Sequence, residues 1–268
     1  MTTRKLAVIG AGRLGEAIIA GVIRVGLYSP ADIIATVRRE DRARELRDRY
    51  DVNVTMQNPA AVASSAVVIL ALKPQTMLGD VSQCRPVFTG DHTIISVAAG
   101  IRTTALEATL GNVRIVRAMP NTPVMVDAGM TALARGTHAT DGDLSVATQI
   151  FGSVGAIVEV AEDRLDAVTA ISGSGPAYLF LFAEALTDAA VAEGLSAEVA
   201  TQLVSQMLYG SAKMLTGGGD AAALREQVTS PGGTTAAAIE VFERGNLREL
   251  VAAAVSAAHA RGRELGSQ

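Results

Sequence analysis

Leu6-Ala7-Val8-Ile9-Gly10-Ala11-Gly12-Arg13-Leu14-Gly15 is the stretch on which the fold turns. A short β-leaning run passes directly into G-x-G-x-x-G. Apolar residues then recur at Leu14, Ile18, Val22 and Val25, the spacing of one helix face. Strand, glycine cluster and helix in this order is the context in which the string works as a dinucleotide fingerprint. Gly10 suits the tight turn, Gly12 the close approach of a pyrophosphate, and Gly15 the packing of helix on strand. The competing account is a glycine-rich βα turn without a ligand.

Further β/α units follow. Ile33–Val37 reads as a second strand and ends in Arg38-Arg39. An acidic residue there would suit the ribose 2′-hydroxyl of NAD, whereas arginines suit a 2′-phosphate, so NADP(H) is expected, with NAD(H) as the alternative. Two exposed arginines opening a charged helix is the other account, kept open by Glu40 and Asp41. Val52–Thr55 reads as a short edge strand, and Asn58-Pro59 as a helix N-cap followed by Pro at the first position. Ala66–Leu72 is apolar throughout, the mark of a central parallel strand covered on both faces. Lys73-Pro74 ends it on the ligand side of such a sheet, where Lys73 contacts a phosphate or ribose hydroxyl or is an ordinary strand-end lysine.

Thr93–Val97 is the next strand, and Ala98-Ala99-Gly100 permits close approach of a cofactor or backbone. Thr104-Ala105-Leu106-Glu107 has the pattern of a capping box, with Gly111 as the helix stop. Val113–Val116 leads into Arg117-Ala118-Met119-Pro120-Asn121-Thr122-Pro123, an extended turn beside the cleft. Strands near Met130–Ala134 and Ala156–Val160, with a helix about Asp141–Phe151, complete a doubly wound α/β sheet. A first domain over residues 1–162 and an all-α second domain over 163–268 are expected.

No convincing strand follows Arg164. Ile171-Ser172-Gly173-Ser174-Gly175-Pro176 reads as a hinge launching a helix, with Pro176 at its first position and Gly194 past its end. Tyr178–Ala183 is apolar on every face, which calls for burial all round and hence for a second subunit. Helices are expected over 197–215, 221–228, 235–244 and 247–265, with Gly245 as a C-cap. Between two of them lies Thr229-Ser230-Pro231-Gly232-Gly233-Thr234-Thr235, a turn whose N–H groups can converge on a small anion. Alone, it reads better as an ordinary Ser-Pro turn with a Thr N-cap.

The bulk properties narrow the function. The 268 residues are 49% hydrophobic and 19% charged, as in a globular chain with a sizeable core. A net charge of −4 and 3% aromatic residues provide little for nucleic acid. Arg42, Arg44, Arg47 and Arg49 alternate with Glu40, Asp41, Glu45 and Asp48, as on a solvated helix face. Cys84 is the sole cysteine, which fits a reducing compartment. His92, His138 and His259 lack ligand-like spacing, so no metal is expected. No signal-peptide pattern opens the chain, and no unbroken apolar run reaches the about 18 residues of a membrane span. A cytoplasmic protein without membrane partners is expected.

A nicotinamide cofactor implies a hydride acceptor. Carbonyl reduction calls for a strong proton donor, yet the lysines are only Lys5, Lys73 and Lys213, and no histidine lies in a glycine- or proline-flanked motif. A cyclic imine can arrive protonated and needs only orientation and one hydrogen-bonding group at nitrogen. Thr235 fits that part, while Ser230 and the N–H groups of Gly232, Gly233 and Thr234 suit a carboxylate.

Gly10–Gly15, Leu70–Pro74, Arg117–Pro123, Asp166–Tyr178 and Gln227–Thr235, in that order, resemble pyrroline-5-carboxylate reductase. The resemblance spans nearly the whole chain, and its last two motifs are the most specific. It implies reduction of Δ1-pyrroline-5-carboxylate to L-proline by NAD(P)H, a Rossmann-type first domain, and a helical domain that interlocks with a partner's. Dimers of this kind often assemble further, commonly into decamers. By position, the cofactor would touch Ile9, Gly10, Ala11, Gly12, Arg13, Leu14, Asn58, Ala71, Leu72, Lys73, Pro74, Val97, Ala98 and Ala99. Arg38 matches an arginine frequent in bacterial members. The substrate would lie on Ser230, Gly232, Gly233, Thr234 and Thr235, with Thr235 at the ring nitrogen. Gln227 and this turn would serve a neighbouring subunit's cofactor. One rival is a two-domain β-hydroxy acid dehydrogenase, whose catalytic Lys and nearby Asn are missing from Pro176–Glu193. Another is a non-catalytic NADP-binding redox sensor, which would have no need of the Ser230–Thr235 turn.

Overall fold

The computed structural model describes residues 5–266. Strands β1 (Leu6–Ile9), β2 (Ile33–Thr36), β3 (Asn53–Thr55), β4 (Val67–Leu70), β5 (Thr93–Ser96), β6 (Arg114–Pro120), β7 (Gly129–Arg135) and β8 (Gly155–Glu159) form one sheet. Its order is β3-β2-β1-β4-β5-β6-β7-β8, and only β6 and β7 pair antiparallel. The first six strands follow the doubly wound order, which reverses between β1 and β4. Helices α1 (Arg13–Arg24), α2 (Glu40–Tyr50), α3 (Asn58–Ala63), α4 (Pro74–Ser82), α5 (Thr103–Leu110) and α6 (Asp141–Gly152) connect them.

Side chains alternate between the two faces of the sheet. Leu6, Val8, Val67 and Ile69 join a core with Ile18 and Val22 of α1, Leu46 of α2 and Phe151 of α6. Ala7, Ile9, Val68 and Leu70 join the opposite core with Met77 and Val81 of α4 and Leu106 of α5. Both faces are therefore covered, which is why β1 and β4 are apolar at every position. Burying each large side chain contributes about 1.5–3 kcal/mol. Cys84, which follows α4, is 1% exposed, and burial with the charge of Asp80 pushes its thiol up to about 11.

Several local expectations are corrected. The Thr104–Glu107 capping box does not form: α5 begins at Thr103 with Arg102 as N-cap and no side-chain cap. Glu162 instead accepts from Thr103 N at 2.7 Å and Thr103 Oγ1 at 2.8 Å, and from the buried Arg117 at 3.3 Å. Glu107 accepts from Thr137 N and Oγ1, at 2.7 and 2.8 Å. The capping box that does form is Thr140–Asp143, opening α6. Asp143 also accepts from Thr93 Oγ1 and pairs with Arg114 at 3.5 Å. Burial works to raise its carboxyl. The bonds from Thr140 and Thr93 and the charge of Arg114 outweigh burial and hold it below the usual range. Asn58 is the first residue of α3, not its cap; Gln57 takes that position. The Pro-flanked segment divides too: Pro120 ends β6, and Thr122–Val126 is a 3₁₀ turn.

The chain forms two compact units, one running through Ser174 and resuming at Ala258, the other Gly175–Ala257. The expected Ser/Gly hinge is helical. Between α7 (Leu165–Val168) and α8 (Gly175–Ala192), Thr169–Gly173 forms one wide π turn, and Ser174 N donates to Thr169 O at 2.8 Å. Pro176 is the second residue of α8, not the first.

The second unit holds α8, α9 (Ala197–Thr216), α10 (Ala221–Gln227), α11 (Thr234–Arg244) and α12 (Leu247–Leu265) up to Ala257. Helix α8 packs along α9, and the rings of Phe182 and Phe242 lie 6.3 Å apart. Gly245 is the C-cap of α11, though the left-handed residue is the next one, Asn246, at φ 54°. No residue of α8 is buried: Phe180 and Leu181 are 61% and 67% exposed. By length and composition alone, the helical stretch 162–192 is apolar enough to cross a membrane. The sequence expectation counted only unbroken apolar runs and so missed it.

Candidate active site

A cleft of about 750 Å³ opens where the strand order reverses, lined by the Gly10–Gly12 turn, the ends of β2 and β4, and the starts of α2, α3 and α4. The turn is anchored to its neighbour strand. Gly10 N donates to Thr36 Oγ1 at 3.0 Å, and Ala11 N to Thr36 O at 2.8 Å. Gly10 has φ +84°, and a Cβ there would stand 2.8 Å from Leu72 Cδ2 and 2.9 Å from Ala71 O. A Cβ on Gly12 would meet nothing within 4 Å. This is the open approach that a pyrophosphate requires. Gly12 caps α1 without a side-chain bond, and Glu16 N takes its carbonyl at 2.9 Å. The N–H groups of Arg13, Leu14 and Gly15 are left as the positive end of the helix.

The charged groups of the wall come in pairs. Arg38 donates to Asp80 at 2.7 Å, Arg39 pairs with Asp41 at 3.2 Å, and Arg42 with Glu45 at 2.9 Å and with Glu16. Glu16 also accepts from Arg49 and from the Tyr50 hydroxyl, each at 2.9 Å. Burial raises the Glu16 carboxyl, but the bonds from Arg42 and Tyr50 and the nearby guanidinium charges win and hold it below the usual range. Lys73 stands exposed on the cleft wall and makes no ion pair among the described residues.

Of the sequence-derived cofactor residues, Gly10, Ala11, Gly12, Arg38, Asn58, Ala71, Leu72 and Lys73 line this cleft together. Ile9 is buried at the end of β1, Arg13 and Leu14 open α1, and Pro74 opens α4. Val97 and Ala98 are buried just past β5, and Ala99 is exposed there. Thr36, Val37, Arg39, Arg42, Met56 and Thr76 also line the cleft. Among these, Thr36 could have been found as the one polar residue of the second strand, next to its ligand-side end. Arg42 and Thr76 each sit in the first turn of a helix that follows a ligand-side loop.

Gln227, Ser230, Gly232, Gly233, Thr234 and Thr235 lie in the second unit. Gln227 is the exposed last residue of α10. Gly232 has φ +72°, and Gly233 caps α11 with no side-chain bond. The Gly233 amide differs from expectation: it donates to Ser230 O at 3.0 Å, closing a tight turn. Of the donors expected here only Gly233 is closed off; among the described residues the N–H groups of Gly232, Thr234, Thr235 and Ala236 make no backbone hydrogen bond and stay open. Ser230 Oγ sits over Gly233, where a Cβ would collide with it. Among the described residues, the hydroxyls of Ser230, Thr234 and Thr235 make no hydrogen bond, and no group of His, Cys, Asp and Glu could hold a metal.

Sheet order and cleft together give this chain the Rossmann class of dinucleotide-binding fold. Residues 5–100 match the profile for NADP oxidoreductase, coenzyme F420-dependent, and residues 162–265 match that for pyrroline-5-carboxylate reductase dimerisation. The chain is 42% identical to the pyrroline-5-carboxylate reductase of Mycobacterium leprae, with 97% of this chain and 96% of that one aligned. Among solved structures it is similar to the pyrroline-5-carboxylate reductase of Coxiella burnetii, with TM-score 0.93 and 39% identity over 98% and 99% of the two chains. The Plasmodium falciparum enzyme, solved with NADP bound, gives TM-score 0.87 and 29% identity over 99% of both. The chain belongs to the pyrroline-5-carboxylate reductase family.

Proposed function

We propose that this protein reduces the C=N bond of Δ1-pyrroline-5-carboxylate to give L-proline, the last step of proline synthesis, with NADPH and secondarily NADH. The observation that carries the cofactor half of this reading is the open space in front of Gly12, beside the uncapped start of α1. A pyrophosphate fits there, held by the N–H groups of Arg13 and Leu14. Arg38 then suits the 2′-phosphate, and Lys73 and Asn58 the ribose hydroxyls and phosphate.

Bound NADPH supplies the hydride for the imine carbon. The protein's own task is to orient the imine and to hold charge. The carboxylate rests on Ser230 Oγ and on the open N–H groups that begin α11, at Thr234 and Thr235, with Gly232 and Gly233 shaping the turn. Thr235 Oγ1 accepts the N–H of the protonated imine, fixing the ring plane. As the π electrons collapse onto nitrogen, the positive charge disappears and a neutral amine remains, so no strong acid is required. Gln227, at the end of α10, serves with this turn the cofactor of a neighbouring subunit.

The division of labour follows the chain: residues 1–162 for the cofactor, 163–268 for substrate and self-association. The chain carries a dimerisation segment, and we place the apolar face of α8 at the contact between copies, in a homodimer that assembles further, as far as a decamer. That role also accounts for the apolar character of 162–192 without a bilayer. Neither nucleic acid nor membrane is a partner, and the cytoplasm is the compartment. The test is to follow NADPH absorbance with pyrroline-5-carboxylate and to repeat with NADH. Proline formed in step with NADPH consumption is expected; binding of NADPH with no consumption would favour a sensor.

A further inference from the structure

The three arginines on the β2 side of the cleft all hold carboxylates already. Arg38 reaches from the loop after β2 to α4, where its Nη2 donates to Asp80 Oδ2 at 2.7 Å and to Thr76 Oγ1 at 3.4 Å. Asp80 is the better anchored partner, with 24% of its side chain exposed against 70% for Arg38. Arg39 is matched by Asp41, and Arg42 by Glu16 and Glu45. The wall therefore offers less positive potential than its arginines alone would supply.

A 2′-phosphate carries about 1.5–2 negative charges at neutral pH. Only Nη2 of Arg38 is engaged, so a phosphate can use the other donors, but it must share the guanidinium with a carboxylate held nearby on α4. An exposed ion pair is weak, so the phosphate is not shut out. What persists is repulsion between two anions on one cation. A ribose 2′-hydroxyl is uncharged and meets no such opposition.

We infer that Asp80 sets the coenzyme preference of this protein: by holding Arg38 against α4, it narrows the margin by which NADPH binds over NADH. Asp80 is a specificity-determining residue that touches Arg38 and takes no part in hydride transfer. The inference rests on the cleft being the NADP(H) site.

The test compares equilibrium binding of NADPH and NADH, read by nucleotide fluorescence, in wild type, Asp80→Asn, Arg38→Ala and the double variant. Asparagine keeps the shape and an acceptor for Arg38 while removing the charge. NADPH should bind Asp80→Asn about five- to tenfold more tightly, NADH should change by less than about twofold, and added salt should shrink the gain. In the Arg38→Ala background the gain should fall below about twofold, because the competition for the guanidinium is gone. An unchanged or lowered NADPH-to-NADH ratio in Asp80→Asn overturns the inference, as does an equal gain without Arg38. Should Asp80→Asn fold poorly, Asp80→Ser is read by the same ratio. If the wild type binds neither nucleotide, the cleft assignment falls and the inference with it. If it binds both and the ratio ignores residue 80, only the inference falls.

Discussion

The Gly10 amide donates to the Thr36 hydroxyl at 3.0 Å, so the loop that faces the dinucleotide is fastened to the end of the neighbouring strand. Two glycines two positions apart in this loop carry different burdens. Gly10→Ala forces a left-handed alanine against Leu72 and the Ala71 carbonyl and should cost about 2–3 kcal/mol of stability. Gly12→Ala meets no protein atom, so its melting temperature should stay within about 2 °C of wild type while NADPH affinity falls about tenfold or more. Thermal melts beside a nucleotide titration separate the two. A Gly12→Ala protein that still binds NADPH normally would move the pyrophosphate elsewhere.

Arg38→Ala should weaken NADPH about tenfold and NADH by less than about threefold, since a charge-assisted bond to phosphate is lost and none to a hydroxyl. Competition titrations give the ratio directly. A ratio equal to that of wild type would remove Arg38 from phosphate recognition.

Replacing Thr235 with Ala should lower kcat about a hundredfold and leave NADPH affinity nearly intact. Thr235→Ser keeps the hydroxyl and should recover most of the rate. If serine fails as badly as alanine, the methyl group or the turn itself matters, and not the hydrogen bond to nitrogen.

Asp143 and Glu16 both have folded-state carboxyls held below their unfolded range. Such groups stabilise the protein fully above the unfolded value, about 4, and that stability is lost as pH falls through the folded value. The protein should therefore lose stability steeply on acidification below about pH 4. Asp143→Asn should destabilise it at neutral pH by about 1–2 kcal/mol and flatten that acid limb. Urea melts across the acid range test this; an acid limb equally steep in the variant would assign it to other groups.

Phe180→Glu places a charge at the centre of the exposed apolar face of α8. Light scattering should show monomers or aggregates in place of a discrete oligomer. A well-behaved oligomer of wild-type size would put the contact between copies elsewhere.

Strands β1 and β4 are legible in the sequence because full burial on two faces leaves no polar position, and the glycine loop because its spacing is a geometric requirement. What the sequence conceals is side-chain choice between partners distant in the chain. Glu107 has the spacing to cap its own helix, yet it bonds Thr137, and Glu162 takes Thr103; neither follows from local pattern. Asp80 is hidden in the same way, because the loop after β2, which carries Arg38, meets α4 only through the strand order. The wide turn at Thr169–Gly173 reads as a hinge because its Ser172 and Gly173 are poor in regular helix. On the substrate side, Ser230 and Thr235 are conspicuous as a turn with a helix start, but the Gly233 amide closing on Ser230 emerges only in the folded chain.

The seclusion of Cys84 has a practical consequence. With the chain's sole cysteine 1% exposed and its thiol pushed up to about 11, a maleimide dye finds almost no native target at neutral pH. A cysteine engineered at the exposed Gln83 or Glu198 would then be the one attachment point on each copy. Optical distance measurements between labelled copies could follow how subunits meet as coenzyme arrives, without first stripping the protein of its own cysteine.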